Sequence, residues 1–193
     1  PTQIVIVPIW RSDVERARVL DAASKLCDAL TDFRVELDAR DDLTPGFKFN
    51  AWELRGVPLR VEIGPKDIEK NQVVFARRDT GEKTFVPQAE LTPRAGAMLD
   101  AIQTNLFARA KKFMDDNTFR VDTWDDFKAR TADEGGAGFL LAHWCGKTSC
   151  EKEIQEETKA TIRVIPFDRP KEAGRCIKCG GPSEGRVVFA KAY

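Results

Sequence analysis

Four of the five cysteines fall into two close pairs, Cys145 and Cys150 in HWCGKTSC and Cys176 and Cys179 in CIKCGG, giving C-x4-C-x25-C-x2-C. Four thiolates complete a tetrahedral Zn(II) shell and leave no open position for water, so the spacing predicts a structural zinc site. Such a site clamps a loop of roughly thirty residues and turns metal affinity into folding free energy. Gly180 follows the second pair directly, and Gly146 lies inside the first; both suit the tight backbone of a metal knuckle. An iron–sulfur cluster, a pair of disulfides or four incidental thiols are the other outcomes open to four cysteines. The paired spacing and the odd cysteine count favour zinc in a reducing compartment. His143, two residues before Cys145, is expected in packing or at the surface, and Cys27 as a small buried residue beside a helix stripe.

The other chemistry-bearing residues are fewer. Gly146-Lys147-Thr148 resembles the end of a phosphate loop, but position 141 holds Leu141 where the first glycine belongs, so the cradle is missing. A single histidine leaves little material for acid–base catalysis. The densest polar block is FKFNAWELRGVPLRVEIGPKD, followed by ARRDTGEK. It brings Glu53, Arg60, Lys66, Arg77, Arg78 and Lys83 among aromatics and turns. A carboxylate can accept from N1–H and N2–H of guanine while Arg or Lys donates to O6 and N7, and Phe47, Phe49 or Trp52 could supply a stacking face. On residue chemistry alone, a solvated face of alternating charges over a core holding Trp52 and the phenylalanines is the simpler reading.

The elements that position these residues follow from pattern. QIVIVPI (3–9) reads as a first strand rather than a signal peptide. Ser12 caps a helix, with Glu15 completing an S-x-x-E capping box and Val19, Ala23, Leu26 and Leu30 on one face. FRVELD (33–38) alternates as a second strand. Thr44, Pro45 and Gly56 mark the cap, first turn and stop of a second helix, and PLRVEIG (58–64) is a third strand. After a short helical turn, residues 71–78 and 82–88 flank Asp79-Thr80-Gly81 as an antiparallel hairpin. Met98, Ile102, Leu106, Ala110 and Phe113 predict one long amphipathic helix from Pro93 to about Asp116. A short helix over Trp124–Ala132, a flexible turn at DEGGAG (133–138) and a strand FLLAHWC leading into the cysteines complete the pattern. The fold class is therefore α/β: a mixed β-sheet flanked by helices in 1–92, a connector in 93–122, and a smaller α+β zinc-binding domain in 123–193.

Lys+Arg and Asp+Glu balance at 31 each in 193 residues, which argues against a non-specific polyanion binder while permitting a few well-placed RNA contacts. No apolar run approaches the length of a membrane span, and cytoplasm is the default location. The chain begins at Pro1 without a methionine, as a processed or excised piece would.

PGFKFNAWELRGVPLRVEIGPKD, RRDTGEK and the tail CEKEIQEETKATIRVIPF…CIKCGGPS…RVVFAKAY are similar to prolyl-tRNA synthetase of the archaeal/eukaryotic type, over essentially the whole chain. The portion resembled is the C-terminal half: a class II anticodon-binding domain and the zinc-binding extension. The resemblance implies recognition of tRNA(Pro) at an anticodon whose second and third bases are guanine. It assigns Glu53 to a guanine Watson–Crick edge, Arg60 and Lys66 to O6/N7 or adjacent phosphates, and Lys83 to a hairpin contact. Arg77 and Arg78 follow as weaker backbone contacts. It also implies an upstream catalytic domain with the ATP, Mg(II) and proline sites, a homodimeric full-length ligase, and a Tyr193 carboxylate that packs toward that domain. The piece alone should then bind tRNA weakly and catalyse nothing. The rival readings are a stand-alone zinc-containing protein-interaction or RNA-binding module, and a small α/β nucleotide hydrolase that the missing phosphate loop disfavours.

Overall fold

The computed structural model describes residues 1–132 and 138–191. They form two compact units, Pro1–Ala108 and Arg109–Tyr193. In the first, β1 (Ile4–Pro8) leads through α1 (Asp13–Ala29) to β2 (Val35–Leu37), and then through α2 (Pro45–Leu54) to β3 (Leu59–Ile63). A one-turn helix α3 (Pro65–Glu69) precedes the hairpin of β4 (Gln72–Arg77) and β5 (Lys83–Pro87), and α4 (Leu91–Asp116) follows. The five strands are ordered β2-β1-β3-β4-β5. Helical crossovers make β1 parallel to both β2 and β3, while β4 and β5 are joined by short connections and pair antiparallel.

Alternation along the strands gives the sheet two faces. Ile4, Ile6, Leu59, Val61, Val73 and Phe75 pack against Val19, Ala23, Leu26 and Leu30 of α1 and Leu91, Ala95 and Ile102 of α4. Val5 and Val7 point the other way and pack with Trp52 and Val57 under α2. Each fully buried branched side chain contributes roughly 1.5–3 kcal/mol relative to exposure, so this double-sided burial fixes the register of β3 and with it the face on which Arg60 emerges.

Local signals worked as physics requires, with three adjustments. Ser12 Oγ accepts from Glu15 N at 3.4 Å, but the Glu15 carboxylate accepts from Arg11 N at 2.8 Å, so the reciprocal bond of the expected capping box is displaced by one residue. The long helix begins at Leu91, and Pro93 sits in its first turn, where a missing N–H costs nothing. The apolar stripe of that helix is buried only as far as Leu106; Phe107, Phe113 and Met114 are exposed. Thr44 Oγ1 caps α2 through Phe47 N, and Gly56 ends it with φ +81°, a left-handed turn that suits glycine.

The second unit contains β6 (Thr118–Arg120), α5 (Trp124–Ala132), β7 (Phe139–His143), α6 (Thr148–Thr158), β8 (Ala160–Val164), β9 (Gly174–Arg175), β10 (Pro182–Ser183) and β11 (Arg186–Lys191). Its main sheet is ordered β6-β7-β11-β8, with β6 parallel to β7 and β11 antiparallel to both neighbours. Phe127 stacks on Trp124 at 5.4 Å and meets Phe189 edge-on at 5.2 Å, inside a core that includes Leu140, Ile154 and Val187. The strand expected to carry FLLAHWC ends at His143, so Trp144 and Cys145 lie beyond it. The turn expected at 133–138 falls outside the described residues except for Gly138, and the Tyr193 carboxylate falls outside them entirely. Among the described residues no helix is long and apolar enough to cross a membrane.

Candidate nucleic-acid interface and metal centre

Phe49 and Glu53 are four residues apart on α2, so one helical face carries both. On β3, Arg60 and Glu62 alternate out of the main core toward the α2 side, because Leu59, Val61 and Ile63 occupy the opposite face. Register then brings in the hairpin: Arg60 pairs with Ala76, and Ala76 with Lys83 of β5. These four charged groups meet. Arg60 Nη1 donates to Glu53 Oε1 at 2.8 Å, Arg60 Nε donates to Glu62 Oε1 at 3.0 Å, and Lys83 Nζ reaches the Glu62 carboxylate at 2.9 Å. The Arg60 guanidinium lies 4.0 Å from the Phe49 ring centre and Lys83 Nζ 5.3 Å from it, so both cations share one aromatic platform. Glu62 is buried and Glu53 is half exposed.

Glu62 lies within FKFNAWELRGVPLRVEIGPKD, where local pattern gives it no role. Only the cross-strand register, which sets Glu62 against Val74 and so beside Phe85 and Lys83, reveals the bridge it makes. Phe85, two positions along β5 from Lys83 and strongly exposed, was missed as well. Of the rings considered for stacking, Phe49 is covered by cations and Trp52 is buried, its Nε1 donating to Asp38 at 2.8 Å; Phe47 is exposed. Burial works against the Asp38 carboxylate, but donors from Arg40 and Trp52 with the Lys48 charge nearby hold it down to about 2.

The remaining expected contacts are dispersed. Lys66 is exposed in the first turn of α3, makes no ion pair among the described residues, and lines a cavity of about 260 Å³ with Ile9, Trp10 and Gly64. Among the described residues no hydrogen bond or ion pair joins it to the Arg60 cluster. The Arg77 fork is occupied by Asp79 at 3.0 and 2.8 Å, and Asp79 also accepts from Asn105 at 2.7 Å, which braces the hairpin against α4. Arg78 is exposed beside the turn, and its amide donates to Pro58 O at 3.0 Å.

In the second unit the cysteines converge. Cys145 follows β7, Cys150 lies in the first turn of α6, and the β9–β10 hairpin presents Cys176 and Cys179 at its tip. All four sulfurs lie within 4.8 Å of one another, with Cys145–Cys150 at 3.6 Å and Cys145–Cys179 at 3.7 Å. A tetrahedron with Zn–S bonds of about 2.3 Å has edges of about 3.8 Å, so the donor set fits the metal. Gly146 and Gly180 take φ +82° and +68° in the two knuckles, and Gly180 N closes its turn on Cys176 O at 2.9 Å. Burial and then the neighbouring sulfurs push the Cys150 thiol up to about 12, whereas the Gly181 N–H first, then Cys150, bring Cys179 down to about 7. Four clustered thiols resist joint ionisation unless a cation takes the charge. Cys27 is a separate free thiol packed against the first core, its pKa raised by burial. His143 is buried, with Nδ1 3.1 Å from Ser183 Oγ and Nε2 3.7 Å from Glu172 Oε1.

Comparison with known proteins agrees with both halves. Residues 3–95 match the anticodon binding domain family, and residues 124–193 match the prolyl-tRNA synthetase C-terminal family. The proline–tRNA ligase of Roseiflexus sp. (strain RS-1) is 50% identical over 197 residues, covering 100% of this chain and 40% of that protein. Those of Chloroflexus aggregans and Natranaerobius thermophilus are 47% and 45% identical with the same coverage. The chain spans about two-fifths of the length of the curated relatives it matches. With two domain matches in order and such identity along its whole length, the chain belongs to the prolyl-tRNA synthetase family and corresponds to the C-terminal part of its members.

Proposed function

We propose that this chain is the tRNA-gripping part of a proline–tRNA ligase, reading the two anticodon guanines of tRNA(Pro) through the face formed by α2, β3 and the β4–β5 hairpin. The observation that carries this reading is the Glu53–Arg60–Glu62–Lys83 cluster over Phe49, inside the region matched to anticodon binding domains. Glu53 supplies the acceptor that the donor edge of guanine requires, and Arg60 and Lys83 supply donors for O6, N7 or phosphate. Lys66, free of ion pairs among the described residues, extends the basic track, and Arg78 does so on the hairpin; Arg77 contributes through the backbone that it braces. Residues 1–92 then carry recognition, 93–122 connect, and 123–193 form the zinc domain. Proline activation with ATP and Mg(II) belongs to the remaining part of the ligase, which acts as a cytoplasmic homodimer, so this piece alone catalyses nothing.

Cys145, Cys150, Cys176 and Cys179 would hold one Zn(II), which supplies structural cross-linking and no open coordination site. Filter binding of a tRNA(Pro) transcript against a variant with the anticodon guanines replaced by cytosines tests the proposal. Preference for the guanine transcript is expected; equal affinity would overturn it.

A further inference from the structure

Arg60 is held from three sides, and the pattern of its contacts says more than that it is present. Reading a guanine through O6 and N7 takes two adjacent N–H donors of one guanidinium. Nε is committed to Glu62, whose side chain is 8% exposed. That leaves the Nη1–Nη2 edge, and one N–H of Nη1 already donates to Glu53 Oε1 at 2.8 Å. In the RNA-free protein, therefore, the carboxylate proposed to read the donor edge of guanine is paired with the same arginine that is proposed to read its acceptors. Two acidic and two basic side chains also leave the cluster with no net charge.

We propose that the Glu53–Arg60 ion pair is an exchangeable latch and that Glu62 is the fixed positioning residue behind it. This rests on the anticodon reading above. The incoming guanine parts Glu53 from Arg60, while Glu62 keeps Arg60 and Lys83 in place on the Phe49 platform throughout. Exposure decides which carboxylate moves: the Glu53 side chain is 48% exposed and can exchange its partner in water, whereas the buried Glu62 serves two cations at once. Opening the latch is repaid only by a base with acceptors for Arg60 and two adjacent donors for Glu53. Guanine has both sets. Adenine lacks the O6 acceptor and the N1–H donor, so it leaves the opened pair uncompensated. Selectivity on this view comes from a cost imposed on every base and refunded by one.

The latch makes a prediction that simple contact loss does not. The full 193-residue chain and its E53Q and E62Q variants are titrated with the tRNA(Pro) transcript and with one carrying adenine at both guanine positions, between 50 and 200 mM salt. E53Q should bind the guanine transcript more weakly yet bind the adenine transcript about 3–10-fold more tightly than the unmodified chain, because Arg60 is unmasked. Its log–log salt slope should steepen by about 0.7–0.9 for one added positive charge. E62Q should lose about tenfold for the guanine transcript without tightening on the adenine one. Equal weakening of both transcripts by E62Q, with its circular dichroism intact, overturns the positioning role. Should E62Q fail to fold, the E53Q arm decides alone. If the unmodified chain prefers guanine but E53Q leaves the adenine affinity and salt slope unchanged, the latch is overturned and the anticodon reading stands. If the unmodified chain shows no preference, both fall.

Discussion

Arg60 and Arg77 are similar side chains on neighbouring strands with opposite assignments, and what surrounds each makes the difference. Arg77 closes a bidentate pair on Asp79 inside the hairpin, a fully buried carboxylate that also accepts from Asn105. Hydrogen bonds from Arg77 and, less strongly, Asn105 outweigh burial and hold the Asp79 carboxyl at about 2. A depressed folded pKa means stability that is fully present above the unfolded value near 3.9 and is lost as pH falls toward about 2. Unfolding followed by denaturant at pH 5, 3.5 and 2.5 should show D79N losing less stability with acid than the unmodified chain; parallel losses would contradict the assignment. The exposed rings make a second residue-scale prediction. If bases stack on Phe47 and Phe85, F47A and F85A should each weaken tRNA binding by about 1–3 kcal/mol. Because both side chains lie outside the core, melting temperature should barely move. A large drop in melting temperature with unchanged binding would make them packing residues instead.

At the scale of elements, β3 shows what sequence can and cannot reveal. The alternation in LRVEI places Arg60 and Glu62 on one face, and Thr44-Pro45 with Gly56 frames the helix that carries Glu53; these are legible from local pattern, whereas the meeting of Glu53 with Arg60 is a tertiary contact. The bridge from Glu62 to Lys83 is not, because it depends on the register of β3, β4 and β5, a property of three strands rather than of one. The same holds for the second unit. The cysteine spacing announces the four-sulfur cluster, whereas β9 and β10, two residues each, have no periodicity from which to be read. The capping of α2 is testable by itself. Thr44→Ala removes the acceptor for Phe47 N and should cost about 1 kcal/mol by chemical denaturation, with guanine affinity falling as the first turn frays. No loss of stability would mean that packing of Lys48 and Trp52 alone holds the helix end.

For the whole molecule, two compact units with separate cores imply separate sensitivities. The four cysteines bring together the end of β7, the start of α6 and the β9–β10 tip. Chain-wide metal analysis should find about one zinc per chain, and chelation should abolish hydrogen-exchange protection in 139–191 while that of β1, β3 and β4 persists. Protection retained in 139–191 without metal would remove the structural role. Affinity for RNA should survive chelation better than the fold of the second unit does, since the proposed recognition face is built from α2, β3 and the β4–β5 hairpin of the first unit.

The central claim concerns single atoms, and a single-atom change tests it. Inosine differs from guanine only by lacking the 2-amino group that Glu53 is assigned to bind. Each anticodon guanine of tRNA(Pro) is replaced in turn by inosine, and binding is measured with the unmodified chain and with Glu53→Gln. At one of the two positions inosine should weaken binding to the unmodified chain by about 1.5–3 kcal/mol, the range of a hydrogen bond to a charged group, and weaken E53Q far less. Equal losses for both proteins at both positions would show that Glu53 does not read guanine.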